Sequence, residues 1–221
     1  IKASELTNTL IDMLKKSVEA GTLRTEVDVA LFLDSTARNH GAEGMGFETI
    51  AAGPARSYGI HAFPAFTNMN FGTSGMSILD FGVKVDGYTS DITLTVLRGE
   101  MSGLQEKMIS LVEEAYTLAA SMVRPGTGSF DIAKSVDDLF SKAGMSMPHG
   151  LGHGIGLDVH EAPWLRVREG SGTILKPGMI FTIEPGLYHE KAGGVRLEND
   201  FLITSAGHKV TTRSHLVRLP D

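Results

Sequence analysis

An internal repeat is the sequence feature that most limits what this chain can fold into. Segment 130–133 (Phe-Asp-Ile-Ala) matches segment 27–30 (Val-Asp-Val-Ala) at an offset of 103 residues (131 − 28). Further matches follow in the same order: Gly144 with Gly41, Gly178 with Gly75, and His160 with His61. Such collinear matches indicate a duplicated α+β fold, whose two halves are related by a pseudo-twofold axis.

The apolar pattern supports this duplication, because each half begins with two helices and continues with strands. Spacing of three and four residues between apolar positions predicts helices over 4–20, 25–39, 104–122 and 129–143. Glycine-flanked apolar runs predict strands over 47–52, 76–83, 92–97, 155–160, 179–184, 195–204 and 208–218.

Composition excludes several classes of protein. The 221 residues suit one large domain, and we expect a single domain over 1–221. A net charge of −6 argues against nucleic acid or an anionic membrane as the main partner. The sequence has no cysteine, which rules out disulfides and thiolate metal sites and fits a reducing, cytoplasmic location. No apolar run approaches the roughly 20 residues that span a bilayer.

The repeat places acidic residues at equivalent positions of the two halves. Asp80 and Glu184 are related by 104 residues (184 − 80), and Asp91 and Glu198 by 107 (198 − 91). Asp80 and Glu184 both end strongly apolar runs, where burial of an unpaired charge costs several kcal/mol. Four carboxylates that converge across a pseudo-twofold axis repel one another unless divalent cations lie between them.

A glycine-rich segment, 148–163, supplies a candidate imidazole ligand. Gly152 and Gly154 flank His153 and leave room for a metal ion beside its ring. Oxygen-rich ligands with one imidazole favour hard or borderline ions such as Mn²⁺, Co²⁺, Fe²⁺ or Zn²⁺. The residues therefore predict a metal site that contains Asp80, Asp91, His153, Glu184 and Glu198.

These motifs resemble those of the pita-bread metallopeptidase family, which includes methionine aminopeptidases, prolidases and aminopeptidase P. The resemblance rests on Asp80 with Asp91, Gly-His-Gly-Ile-Gly around His153, Thr-Ile-Glu-Pro-Gly around Glu184 and Val-Arg-Leu-Glu-Asn around Glu198. Two segments, Leu-Asp-Val-His-Glu and Glu-Pro-Gly-Leu-Tyr, are more similar to the Xaa-Pro branch of this family than to the methionine aminopeptidase branch. That branch usually carries an N-terminal domain, which we expect to be absent from this chain.

The resemblance implies a site with two divalent ions, most often Mn²⁺ or Co²⁺. Asp80 is expected to bind one ion, His153 and Glu184 the other, and Asp91 and Glu198 to bridge both. A hydroxide between the ions would attack the scissile carbonyl of a short peptide, with Glu184 as the proton acceptor. The resemblance also implies a homodimer as one assembly that such a chain can form.

Other positions receive roles by the same resemblance. His160 is expected to bind the substrate or its developing oxyanion, and His61 to face the scissile nitrogen and leaving group. His149 is expected to support the site without binding metal. Leu94 stands where the family more often has arginine, which bears on substrate recognition and packing. Arg196 has three interpretations: it steadies Glu198, binds a substrate carboxylate, or is a plain surface residue.

Three functions remain compatible with the sequence. The leading hypothesis is an Xaa-Pro dipeptidase or Xaa-Pro aminopeptidase. The first alternative is a methionine-type or broader aminopeptidase with the same chemistry. The second is a non-catalytic peptide-binding module, although such relatives typically replace several ligand acids and all five predicted ligands are present here.

Overall fold

The computed structural model describes residues 1–168, 170 and 172–220. The described residues form four α-helices, which are α1 (Lys2–Glu19), α2 (Glu26–Asn39), α3 (Gly103–Met122) and α4 (Ser129–Lys142). Two strands pack near α2, β1 (Gly44–Met45) and β2 (Ile50–Ala52). The strands that follow them are β3 (Gly75–Phe81), β4 (Val83–Val85), β5 (Tyr88–Thr89), β6 (Ile92–Arg98), β7 (Gly152–Gly154), β8 (Glu161–Leu165), β9 (Ile180–Ile183), β10 (Gly186–His189), β11 (Gly193–Arg196), β12 (Asn199–Thr204), β13 (Gly207–Val210) and β14 (Val217–Leu219).

Local sequence signals set the helix ends. Helix α2 begins after a capping box, in which the Thr25 hydroxyl accepts from the Asp28 amide and the Asp28 carboxylate accepts from the Thr25 amide. Ser102 and Gln105 form the same arrangement before α3. Gly41 and Gly144, which follow α2 and α4, both have positive φ, a conformation that glycine adopts without steric cost. The four predicted helices are therefore confirmed to within a few residues.

Two main sheets reproduce the predicted duplication. The first has the strand order β14-β6-β3-β2, and the second has the order β13-β12-β9-β7-β8. The runs β6-β3-β2 and β12-β9-β7 correspond, and each consists of antiparallel pairs. Isolated bridges join Thr25 to Asn70 in one half and Gly128 to Ile174 in the other, at offsets of 103 and 104 (128 − 25, 174 − 70). The expected α+β architecture of two similar halves is confirmed.

Each half has its own apolar core. One core packs α1 and α2 against the first sheet, with Leu10, Leu33 and Leu79 at 0% exposure. The other packs α3 and α4 against the second sheet, around Phe140, Phe181 and similar residues. The second half contacts the first sheet directly, since Glu198 and Arg196 hydrogen-bond to β6. Among the described residues, no helix is long and apolar enough to cross a membrane.

The strand predicted over 155–160 is wrong. Those residues form a loop between β7, which ends at Gly154, and β8, which begins at Glu161. The apolar residues of this segment alternate with glycine and polar residues, and this alternation resembles a strand although no ladder pairs with it. The run predicted over 195–204 is divided between β11 and β12, with Glu198 between them. The run over 208–218 is divided as well, and β14 pairs in parallel with β6 of the first half.

Candidate metal centre

All five predicted metal ligands line one cavity of about 320 Å³ between the two sheets. Asp80 lies within β3, where it faces Ile50 on β2 and Thr93 on β6. The other four lie in or beside other strands: Asp91 before β6, His153 within β7, Glu184 after β9 and Glu198 before β12. The sheet pairing that follows from the repeat thus brings together residues up to 118 positions apart (198 − 80).

Three of these residues form a compact group of possible ligand atoms. One atom from each of Asp91, His153 and Glu198 lies within 4.8 Å of the others, and all three residues are buried. The Nε2 atom of His153 lies 3.6 Å from Asp91 Oδ2 and 3.6 Å from Glu184 Oε1. This separation is longer than a hydrogen bond, so the imidazole and the carboxylates surround a shared space.

The hydrogen bond of His153 fixes which ring nitrogen can bind a metal. Its Nδ1 lies 3.1 Å from the carbonyl oxygen of Gly154, which can only accept, so Nδ1 carries the proton. Nε2, on the side of the carboxylates, is then left with a free lone pair. Burial lowers the pKa of His153 to about 4, which keeps the ring neutral at neutral pH.

The carboxylates are held together against electrostatic repulsion. Burial, followed by the charge of Glu198, raises the pKa of Asp91 well above its usual range, and the same two causes raise the pKa of Glu184. Burial, and then the charge of Asp80, raises the pKa of Glu198 to about 7. Without a cation, these groups therefore tend to take up protons, and a divalent ion would relieve both causes of the shift.

Arg196 is buried at 1% exposure, so its interpretation as a surface residue is wrong. Its guanidinium donates to Asp80 Oδ2 at 2.5 Å, to the Tyr188 hydroxyl at 2.8 Å and to the Ile60 carbonyl at 3.1 Å. Its Nε donates to the hydroxyl of Thr93, which in turn donates to Glu198. Arg196 thus contacts Asp80 directly and Glu198 only through Thr93.

The donor set fits divalent ions. Asp80 Oδ1 is buried without a hydrogen-bond partner, while Arg196 occupies the other oxygen of the same carboxylate. An unpaired buried carboxylate oxygen is costly, and coordination of a cation satisfies it. Four carboxylates and one neutral imidazole form the hard, oxygen-rich set that suits borderline and hard divalent ions.

The histidines with predicted substrate roles line the same cavity. The ring of His160 is 4.2 Å from the ring of His153, measured between centroids. His61 lines the cavity as well, on the loop between β2 and β3, and its charge acts on Asp80. His149 also lines the cavity, where its Nε2 bonds the Tyr188 hydroxyl at 2.9 Å and its Nδ1 is 3.8 Å from Glu184.

Thr93, to which no role was assigned from the sequence, links the two halves of the site. Its hydroxyl donates to Glu198 Oε2 at 2.7 Å and accepts from Arg196 Nε at 2.8 Å. The signal was present in the Ile-Thr-Leu-Thr pattern of β6, because alternate residues of a strand share a face. Thr93 and Thr95 face the site, whereas Leu94 faces the opposite way into the first core at 1% exposure.

The chain resembles known proteins along nearly its whole length. A family model described as metallopeptidase family M24 matches residues 1–205. The Xaa-Pro dipeptidase of Pyrococcus horikoshii is 33% identical over 215 residues, which are 96% of this chain and 60% of that protein. The chain therefore spans about three-fifths of the length of this relative.

Solved structures give the same picture. The Xaa-Pro dipeptidase from Bacillus anthracis superimposes with a TM-score of 0.89 and 32% identity, over 99% of this chain and 61% of that one. The X-Pro aminopeptidase from Thermotoga maritima superimposes with a TM-score of 0.88 and 29% identity, over 100% of this chain and 61% of the aminopeptidase chain.

The fold, the donor set and the family match therefore agree. The expected pita-bread fold is confirmed by these structural relatives. The metallopeptidase description and the buried group of Asp91, His153 and Glu198 together indicate divalent metal ions as cofactors. This chain belongs to metallopeptidase family M24.

Proposed function

We propose that residues 1–221 form a single catalytic domain that hydrolyses short peptides beside proline, as an Xaa-Pro dipeptidase or Xaa-Pro aminopeptidase. The observation that carries the proposal is that five candidate metal ligands and two further histidines line one cavity. The relatives named Xaa-Pro dipeptidase and X-Pro aminopeptidase support the choice of substrate.

The same proposal assigns the five ligands to two divalent ions, with Mn²⁺ or Co²⁺ preferred over Zn²⁺ or Fe²⁺. Asp80 would hold one ion and His153 with Glu184 the other, while Asp91 and Glu198 would be shared. When bound, the ions supply Lewis acidity, which activates water and polarises the scissile carbonyl. The compact group around Asp91 and Glu198 supports their shared role, since one residue comes from each half.

The remaining steps belong to side chains of the protein. Glu184 accepts the proton of the attacking water at its carboxylate and passes it towards the leaving amine. His160, exposed on the cavity wall, donates a hydrogen bond to the substrate carbonyl as negative charge develops there. His61 faces the scissile nitrogen. Arg196 orients Asp80 and opposes the rise in its pKa that burial causes. A role for Arg196 in binding a substrate carboxylate also belongs to the proposal.

The test is a comparison of substrates with the metal-free and the reloaded protein. After chelation, the protein is supplied with Mn²⁺ or Co²⁺ and assayed on Xaa-Pro dipeptides, Xaa-Pro-Xaa tripeptides and Met-Ala peptides. We expect hydrolysis of the proline peptides only after metal is added. A preference for Met-Ala would instead favour the methionine-type alternative, and a protein that takes up no metal would refute the enzymatic proposal.

Replacement of Glu184 tests the proton acceptor separately. Glu184→Gln keeps the size of the side chain and removes the base, so we expect a loss of kcat of about 10²–10⁴-fold with the fold retained. Glu190→Gln is the matched control, because Glu190 lies on the surface six positions away. Full residual activity of Glu184→Gln would contradict the assigned role.

Two further properties belong to the proposal. A cytoplasmic location is supported by the absence of cysteine from the sequence, and fractionation of the source cells tests it. A homodimer is supported by the family resemblance, and sedimentation of the purified protein across a concentration series tests it.

A further inference from the structure

The two histidines of the proposed catalytic site are supported by different kinds of structure. His160 directly precedes β8, and its chain neighbour Glu161 pairs with Gly154 of β7, so a sheet holds the chain next to His160. His61 lies in the long connection between β2, which ends at Ala52, and β3, which begins at Gly75. No strand lies in this connection. The position of His61 must therefore be fixed by contacts other than the hydrogen bonds of a β-sheet.

One anchor is the carboxylate of Glu26, the first residue of α2, which is fully buried. Glu26 Oε1 accepts from the Gly53 amide at 2.7 Å, and Oε2 accepts from the Thr67 amide at 2.8 Å and the Thr67 hydroxyl at 2.6 Å. Gly53 and Thr67 bracket the segment that carries His61. One buried carboxylate therefore holds both ends of this segment, which we name the His61 loop (residues 53–67).

The second anchor is Arg56, which lies within the His61 loop. Its guanidinium donates from one nitrogen to Glu26 Oε2 and from the other to the carbonyl oxygen of Pro64. The Arg56 and Glu26 side chains are 14% and 0% exposed, so this ion pair is shielded from water. A planar guanidinium makes such a two-point contact, whereas a lysine ammonium acts from a single point. The contact from Arg56 to Pro64 closes the chain around His61.

The second half of the molecule provides an internal comparison. The repeat places Ser129 at the position of Glu26 (129 − 26 = 103), again as the first residue of a helix. Its hydroxyl donates to the Trp164 carbonyl at 2.9 Å and accepts from the Thr173 amide at 3.0 Å. In the second half, where β8 follows His160 directly, the neutral hydroxyl of Ser129 takes the place of the Glu26 carboxylate. The charged pair occurs in the half without that strand.

We infer that Glu26 and Arg56 are positioning residues that hold His61 at the cavity. This inference rests on the proposed function, in which His61 faces the scissile nitrogen. The neighbour of His61, Ile60, also accepts a hydrogen bond from Arg196, which holds Asp80. Two arginines therefore hold the His61 loop in place: Arg56 at the base of the loop and Arg196 at the cavity.

A double-mutant cycle separates positioning from general stability. Arg56→Met should lower kcat by about 10–100-fold, because displacement of a catalytic group by about 1 Å has effects of this size. In the His61→Ala background the same replacement should change kcat less than about two-fold, since its effect passes through His61. Arg56→Lys retains one charged contact, so its kcat should lie between those of the wild type and Arg56→Met. Arg38→Met is the control, because it removes an exposed ion pair with Asp34 on α2.

Hydrogen exchange provides a readout that needs no activity. Arg56→Met and Glu26→Gln should speed amide exchange in residues 53–67 and leave the segment around His160 unchanged, with metal content also unchanged. Unaltered exchange in the His61 loop, or equal losses of kcat with and without His61, would overturn the inference. A wild-type protein inactive on every peptide would refute the proposed function, whereas the exchange result would still decide whether these residues hold the loop.

Discussion

Replacement of Arg196 by methionine is the sharpest test of how the centre is stabilised. Arg196 is 1% exposed, and its guanidinium is the hydrogen-bond partner of Asp80 Oδ2. The other oxygen, Oδ1, already lacks a hydrogen-bond partner. Arg196→Met therefore leaves a buried carboxylate without a hydrogen bond at either oxygen, and it also strips partners from Tyr188 and Thr93.

The expected cost is large. Removal of one partner of a buried ion pair costs about 3–5 kcal/mol, because the remaining charge stays desolvated. For a domain of this size, that corresponds to a fall in Tm of about 6–20 °C. The measurement is urea unfolding of the metal-free protein, with Arg213→Met as the control for an exposed arginine, since Arg213 pairs with Asp12 on the surface. The control should unfold like the wild type.

The direction of the pH effect follows from Asp80. Burial raises its pKa, and Arg196 opposes that rise. Without Arg196 the carboxyl is protonated at higher pH, so metal affinity measured by titration should fall more at pH 6 than at pH 8. Addition of Asp80→Asn to Arg196→Met should recover part of the lost stability. A metal-free Arg196→Met protein within about 1 kcal/mol of wild type would refute this reasoning.

Other replacements test neighbouring parts of the site and the core. Thr93→Val removes hydrogen bonds to Glu198 and Arg196 and should lower the free energy of unfolding by about 1–3 kcal/mol; Thr9→Val, on the surface of α1, is the control. Burial raises the pKa of Glu198 from 4.5 to about 7, so the metal-free folded protein retains a proton that the unfolded chain loses. Proton binding by Glu198 therefore stabilises the metal-free folded protein fully below pH 4.5, and this contribution disappears as the pH rises through 7. Since Mn²⁺ competes with that proton, added Mn²⁺ should raise Tm more at pH 8 than at pH 5.5. Leu94→Arg places a charge in the first core and should prevent folding, whereas Leu31→Arg, at a position 61% exposed, should fold normally.

Each of these expectations has a contrary result. Unchanged unfolding of Thr93→Val would show that its two hydrogen bonds add nothing to the linkage of the halves. An equal rise in Tm at both pH values would contradict the proton uptake assigned to Glu198. A Leu94→Arg protein as stable as Leu31→Arg would show that position 94 retains room for the arginine more usual in the family.

Much of the fold was predictable because its signals are local. The capping residues Thr25 and Ser102 and the apolar spacing that follows them mark helices without reference to the rest of the chain. The glycines at 41 and 144 end two of those helices. The error at 155–160 arose because apolar residues there alternate with glycine and polar residues, as they do in a strand, and local sequence does not show that a partner strand is lacking. The parallel pairing of β14 with β6 could not be predicted from local sequence either, since it joins residues 121 positions apart (217 − 96).

The sequence by itself determined the pairs of acids, because duplication repeats a strand end and therefore repeats whatever side chain stands there. Asp80 with Glu184, and Asp91 with Glu198, could be recognised from their offsets alone. Only the tertiary structure decided which charges balance one another. Arg196 lies 116 residues from Asp80 in sequence, yet its guanidinium is the partner of that carboxylate. Burial and distance fix such pairing, and both depend on how the two halves meet.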